Sequence, residues 1–250
     1  ENRMLFMTRD EIRDRIRQYP VALLPIGATE QHGRHLPVGT DIFLAEELAR
    51  RAAEQTGALV LPSLNFGYSW TWRDIEGTVS LNAPTFQQVL KECAASVERY
   101  GIKMLVFVNG HDSNNTAMKY AVREISDISS MKLLGLFYPG LKEVYGRYIG
   151  TPMWEGIFHA CEFETSLMLA CDKDLVQMDR AKPEYPVRPQ LYGADDMLLG
   201  EISESGVYGD PSTASAQKGE DMFAEFTQNT VELIQYAYEK YVESQQERRK

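Results

Sequence analysis

Four short apolar runs alternate with longer segments whose apolar residues recur at helical spacing, and this alternation confines the chain to few folds. The runs Val21 to Ile26, Ala58 to Leu61, Met104 to Val108 and Lys132 to Phe137 read as strands. Thr8 and Glu11 form a capping-box pattern ahead of Ile12 and Ile16, which predicts a surface helix to about Tyr19, closed by Pro20. Ile42, Ala45, Leu48, Ala49 and Ala52 mark a second helix that stops at Gly57. Thr85 and Gln88 repeat the capping-box pattern and lead into a helix through Phe86, Val89, Leu90, Cys93 and Val97 to Gly101. A fourth helix holds Ala117, Tyr120, Ala121, Val122 and Ile125. Strands alternating with such helices predict βαβ units, hence an α/β fold with a mostly parallel sheet covered on both faces.

At 250 residues the chain is long enough for one core of this kind, so a single domain over residues 1–250 is expected. Residues 62 to 84 lack a clean period and read as a long irregular loop, the kind that in compact domains carries function. Past residue 138 the pattern weakens into a loop with Trp154, the segment His159 to Leu169, a Pro-rich connection at 183 to 189 and a final helix from about Gly219 to Glu243.

A formal charge of −10 repels phosphate backbones and anionic lipid, and the one dense basic cluster is the tail Arg248-Arg249-Lys250. Neither a nucleic-acid nor a membrane partner is expected. Three cysteines, Cys93, Cys161 and Cys171, show no framework spacing, which fits a reducing compartment. No apolar stretch reaches the roughly 18 to 20 residues of a membrane helix, and no apolar signal core follows the N-terminus, so the chain reads as cytoplasmic.

Chemistry concentrates in Thr29-Glu30-Gln31-His32-Gly33-Arg34-His35-Leu36-Pro37 with Thr40 and Asp41, placed directly after the first strand. Glu30 and His32 are two residues apart and project to one side of an extended loop. Asp41, at the start of a helix, is either an N-cap or a metal ligand able to bridge two ions. His111, in Asn109-Gly110-His111-Asp112-Ser113-Asn114, follows the third strand and can close the set, because sites in such sheets form at the strands' carboxyl ends. Mixed carboxylate and imidazole donors suit Zn²⁺, Mn²⁺ or Fe²⁺. In the third cluster, around His159, an acidic first turn accounts for Glu162 as readily as ligation does. Glu164, flanked by Phe163, Leu167 and Met168, requires a cation or donors if buried. Cys161 reads as a small buried thiol, since no Cys–His–Asn signature accompanies it. Trp70, Trp72 and Trp154 either line a pocket or pack in a core. There is no GxGxxG, Walker or GxSxG pattern.

At these residues the chain resembles the creatininase family of metal hydrolases. The match runs from Pro25-Ile26-Gly27-Ala28-Thr29-Glu30-Gln31-His32-Gly33, with His35, Leu36, Pro37, Thr40 and Asp41, through Asn109-Gly110-His111 and Asn114, to His159 and Glu164-Thr165-Ser166. The resemblance implies a three-layer α/β/α fold, one or two divalent metal ions per subunit and a homohexamer. It makes Glu30, His32, Asp41 and His111 metal ligands, with Asp41 bridging, and gives His159 a role in substrate contact and proton transfer. Ser113 stands where creatininase has a ligating Glu, which makes Glu164 the candidate fifth ligand. The loop from Tyr68 to Thr78 lacks the Glu-His and Phe-Pro-Gly-Thr pieces common in relatives, so creatinine itself is not implied as the substrate.

The function expected is hydrolysis of a small cyclic amide or related cyclic substrate by a metal-activated water, with His159 or Glu164 moving the proton. Trp70, Trp72, Arg73, Asp74, Trp154 and Ser113 are the residues expected at the substrate. One alternative is ring-opening C–C hydrolysis or isomerisation of an oxidised cyclic polyol, whose hydroxyls Arg73, Asp74 and Asn82 would suit. A metal-stabilised binding protein without turnover is another.

Overall fold

The structure, a computed structural model, describes residues 1–244, so the basic tail Arg248-Arg249-Lys250 lies outside the described residues. Helix α1 (Arg9–Gln18) opens on the expected capping box, in which Thr8 accepts from the Glu11 N–H and the Glu11 carboxylate accepts from the Thr8 N–H. Strand β1 (Val21–Ile26) is buried along its whole length. Helix α2 (Thr40–Thr56) ends where Gly57 adopts φ +79°, and the short β2 (Leu59–Val60) follows. Helix α3 (Ala83–Arg99) is capped by Asn82, whose side chain accepts from the Thr85 N–H at 2.8 Å. The helix therefore starts ahead of the Thr85–Gln88 pattern, and Pro84 sits in its first turn, where a missing N–H costs nothing. Strand β3 (Met104–Asn109), helix α4 (Asn114–Ser126) and strand β4 (Lys132–Phe137) complete the alternating half.

The remainder is more helical than its sequence suggests. Two turns of α5 (Leu141–Tyr148) precede α6 (Glu162–Asp172), and α7 (Ala216–Tyr238), capped by Ser215, runs on into a π-helical turn, Glu239–Glu243. The four strands are all parallel, in the order β2-β1-β3-β4. Alternate residues of one strand face opposite sides. Val21, Leu23, Met104, Val106 and Val108 pack under α2, α6 and α7, whereas Ala22, Leu24, Ile26, Leu105 and Phe107 pack against α3, α4 and Ile16 of α1. This is a three-layer α/β/α sandwich.

In register, Ile26 pairs with Asn109 and Asn109 with Phe137, so the loops after β1, β3 and β4 leave the sheet along one edge. Two glycines bring α2 onto that edge. A Cβ at Gly27 would lie 2.5 Å from the Ile42 nitrogen, and one at Gly110 would lie 2.3 Å from the Asp41 carbonyl oxygen. The first turn of α2 is thus wedged between the ends of β1 and β3, with Asp41 seated above both. Because the opposing atoms are backbone, Gly110→Ala should destabilise the protein by about 1–3 kcal/mol. Gly150→Ala, where a Cβ meets nothing within 4 Å, should change little. Denaturant unfolding checks this, and equal effects would contradict it.

Candidate metal centre

Six polar side chains converge at this edge. Glu30 and His32 come from the loop after β1, Asp41 from α2, His111 from the turn after β3, and His159 and Glu164 from the approach to α6 and its first turn. All are buried, Glu30, His32 and Asp41 to 1% exposure. Asp41 is central. Its Oδ1 lies 3.1 Å from His32 Nε2 and its Oδ2 3.0 Å from His111 Nδ1. His32 Nε2 also lies 3.8 Å from Glu164 Oε2, and His111 Nε2 lies 3.4 Å from Glu30 Oε2. Two donor triads result, Glu30–Asp41–His111 and His32–Asp41–Glu164, with Asp41 common to both; Glu30, His32 and His159 form a third.

The donors fit a divalent cation. Glu30 Oε2, His32 Nε2 and Asp41 Oδ2 are buried without a hydrogen-bonding partner. Buried carboxylates without donors or a counter-ion are costly, and ions between these triads would satisfy all three atoms at once. The same donor types match Zn²⁺, Mn²⁺ and Fe²⁺.

Neighbouring groups aim the donors. His32 Nδ1 donates to the Glu30 carbonyl at 3.1 Å, which turns Nε2 inward. His111 Nε2 donates to the Tyr68 carbonyl at 3.0 Å, leaving Nδ1 to face Asp41. The Asn109 carboxamide brackets His111, donating to its carbonyl at 2.7 Å and accepting from its N–H at 3.1 Å. Asn114 donates to the Gly27 carbonyl and accepts from the Tyr68 N–H, tying the β1, β3 and 62–84 loops together. His35 is not among the clustered donors; its Nε2 meets Thr165 Oγ1 at 2.9 Å and joins the motif loop to α6. Tyr68 escapes sequence reasoning because it acts here through its backbone carbonyl, which carries no side-chain signal, whereas Gln31 meets His159 through both its carbonyl and its carboxamide.

His159 is held from two sides. Its Nε2 lies 2.9 Å from the Gln31 backbone carbonyl and 3.0 Å from the nitrogen of the Gln31 carboxamide, and its Nδ1 lies 3.6 Å from Glu30 Oε1. The Trp72 ring stacks on the imidazole at 4.7 Å and 23°. Ala160, next in the chain, adopts φ +50°, a left-handed conformation uncommon for a residue with a Cβ, and its N–H donates to Glu164 Oε2 at 2.5 Å. Glu162 has a different task. Its carboxylate accepts from Thr151 Oγ1 at 2.8 Å and the Thr151 N–H at 3.0 Å, and pairs with Lys218 at the start of α7. Burial, together with Glu164, pushes the Cys161 thiol up to about 12, so it is inert as a nucleophile.

The charges are strongly perturbed. Burial raises the Glu30 carboxyl to about 7. Burial would lower the imidazoles of His32 and His111, but carboxylates outweigh it. Asp41 and Glu164 hold His32 well above its ordinary value, and Glu30 and Asp41 raise His111 to about 9. His159 moves the other way, depressed by burial and by the charge of His32.

A cavity of about 780 Å³ opens over these groups, and Trp70, Trp72 and Ser113 line it with Glu30, His111, His159 and Glu164. Arg73, Asp74 and Trp154 are not on it. The exposed Arg73 guanidinium lies 4.1 Å over the Trp70 ring, and Asp74 borders a separate small cleft with Ile75 and Glu201. Trp154 is core: it packs on Tyr192 and Tyr208, and its Nε1 donates to the Pro186 carbonyl. Its indole N–H is satisfied internally, as a buried indole requires.

A family model described as creatinine amidohydrolase, of the creatininase family, matches residues 6–234. The chain belongs to the creatininase family. It is 33% identical over 219 residues to the creatinine amidohydrolase of Pseudomonas putida, covering 80% of this chain and 83% of that one. It is 32% identical over 236 residues to the mycofactocin precursor peptide peptidase of Mycobacterium ulcerans (strain Agy99), covering 86% and 85%. A crystal structure of creatinine amidohydrolase (creatininase) superposes with a TM-score of 0.79 at 28% identity, over 96% of this chain and 98% of that one.

The shifts set a pH dependence for the protein stripped of metal. A raised His111 stabilises the fold below about pH 6.5, and that contribution is lost as pH climbs through about 9. EDTA-treated protein should therefore lose several degrees of melting temperature between pH 6 and 9 that zinc-loaded protein keeps. A smaller loss in the stripped protein would contradict it.

Proposed function

We propose that this chain is a metal-dependent amidohydrolase with a dinuclear centre, Glu30, Asp41 and His111 holding one ion and His32, Asp41 and Glu164 the other. The observation that carries the reading is Asp41, whose two oxygens face separate buried triads 3.1 and 3.0 Å from an imidazole on each side. Glu164 takes the fifth-ligand role, since Ser113 at the cavity wall offers no carboxylate. Divalent ions bound there supply an acidified water and a Lewis acid for a carbonyl. The chain's own residues do the rest. Glu30 and Asp41 balance the positive charge, and burial of the cluster excludes competing water. His159, held at Nε2 by the carbonyl and carboxamide of Gln31 and open to the cavity, is the group that would pass a proton to the departing nitrogen. Trp72 fixes the plane of that ring. A cyclic amide is one substrate that suits this chemistry, and an open-chain amide is another. For C–C cleavage of a cyclic polyol the residues expected to suit its hydroxyls do not gather at the cavity: Arg73 and Asp74 lie off the lining, and Asn82 caps α3.

Asp41→Asn should reduce bound metal from two ions per chain to one or fewer and abolish turnover, with the circular dichroism spectrum retained. His159→Asn should keep both ions and lower turnover about 10²- to 10⁴-fold. Metal analysis with an amine-release assay over amide libraries checks both. Full metal content in Asp41→Asn, or unchanged turnover in His159→Asn, would contradict the assignment.

A further inference from the structure

The carboxylate in the middle of the metal centre has no donor of its own. His32 and His111 are each aimed by a backbone carbonyl, and Glu164 accepts from the Ala160 N–H. Asp41 faces only imidazoles. Among the described residues no hydrogen bond from outside the cluster reaches its carboxylate, and its Oδ2 is buried without a partner. Carboxylates that ligate metal are ordinarily held by a further donor. Each oxygen has lone pairs enough for an ion and for that donor together.

An unused donor lies near it. Tyr138, the residue after β4, is 2% exposed, and its hydroxyl is buried without a partner. Its ring packs edge-on against Phe163 at 5.3 Å and tilted on Phe226 at 5.1 Å, so the core makes full use of the ring. The oxygen is another matter. A phenylalanine would fill the same place and bury no unsatisfied group. Burial, then the charge of Asp41, then that of Glu164 push this phenol well above its ordinary value, so it keeps its proton and stays a donor. Tyr145, Thr227 and Thr230 also bury unpartnered hydroxyls. Tyr138 is set apart from them by the charge of Asp41 and by its backbone.

That backbone is strained. Tyr138 has φ +37°, an outlier for a bulky residue, and it precedes Pro139, whose ring narrows its choices further. The turn into α5 enforces the conformation. The Leu141 N–H donates to the Tyr138 carbonyl at 2.9 Å, with Gly140 at φ +83°, and Asn229 of α7 donates to the Pro139 carbonyl at 2.8 Å. A Cβ at Gly140 would lie 2.5 Å from the same Asn229 nitrogen, which seats the turn tightly on α7. Strain of this kind persists where the surroundings over-determine it, and it collects at functional sites.

We propose that Tyr138 is a positioning residue of the metal centre, whose hydroxyl, free while imidazoles hold Asp41, donates to the Asp41 carboxylate when ions take their place. The inference rests on the dinuclear reading and adds to it the group that aims the shared carboxylate.

Zinc titration of EDTA-treated protein against a competing chelator, read together with the melting temperature of the stripped protein, tests this. Tyr138→Phe keeps the ring and removes an unpartnered hydroxyl, so the stripped variant should melt at the wild-type temperature or above it. Its zinc affinity should nevertheless fall about 10- to 100-fold. Thr230→Val removes another unpartnered buried hydroxyl, on α7, and should leave zinc affinity unchanged. A Tyr138→Phe variant that binds zinc as tightly as the wild type, or a Thr230→Val variant that loses as much, overturns the proposal. So does a stripped Tyr138→Phe variant that melts several degrees lower, because the hydroxyl would then be holding the fold and not the carboxylate. If the wild-type protein itself takes up no zinc at saturating metal, the dinuclear reading falls, and the role of Tyr138 falls with it.

Discussion

The structure turns on the close backbone contact of the first turn of α2 with the ends of β1 and β3. Gly27 and Gly110 permit it, since any side chain at either position would collide with the backbone of Asp41 or Ile42. Close approach is what places one carboxylate within reach of histidines from two different strand loops. His32 arrives from β1 and His111 from β3, and Asp41 has one oxygen for each. The parallel sheet makes this possible because its strands end in register, so their loops share an edge.

Packing that many charges beneath the surface is unfavourable for the polypeptide alone. Imidazoles raised above their ordinary range beside buried carboxylates are the signature of protons standing where a doubly charged ion would be better placed. The surroundings limit the cost by fixing each group through backbone carbonyls, carboxamides and one strained peptide at Ala160. Rigid aiming of this kind fits a site whose donors must already be in position when an ion arrives. The apolar cavity beside it is shaped by different elements, α5 and the connections around residues 153–158 and 192–199. On the proposed function, the sheet edge would hold the metal, and the helical half would supply much of the wall against which a substrate rests.

Much of this is legible in the sequence. The strands and α1, α2 and α4 follow from uninterrupted apolar runs and helical spacing, and the Glu30, His32, Asp41 and His111 donors stand out as polar clusters at strand ends. Glu164 could be singled out because a carboxylate among Phe163, Leu167 and Met168 demands a partner. Helix α5 was not visible, since two turns containing a glycine give too short a period to register. The start of α3 was misplaced because Asn82 and Thr85 both present capping side chains, and only the backbone geometry selects Asn82. Arg73, Asp74 and Trp154 illustrate the harder limit. Sequence identifies a loop rich in functional side chains, but the side to which each one turns depends on contacts far along the chain, such as Trp154 with Pro186.

The central claim is that Asp41 bridges two ions, and anomalous diffraction from crystals grown with zinc or manganese tests it most directly. Two peaks about 3.5–4 Å apart, one against each Asp41 oxygen and flanked respectively by His111 and His32, are the expected result. A single peak away from Asp41, or none in the cluster at saturating metal, would contradict the account.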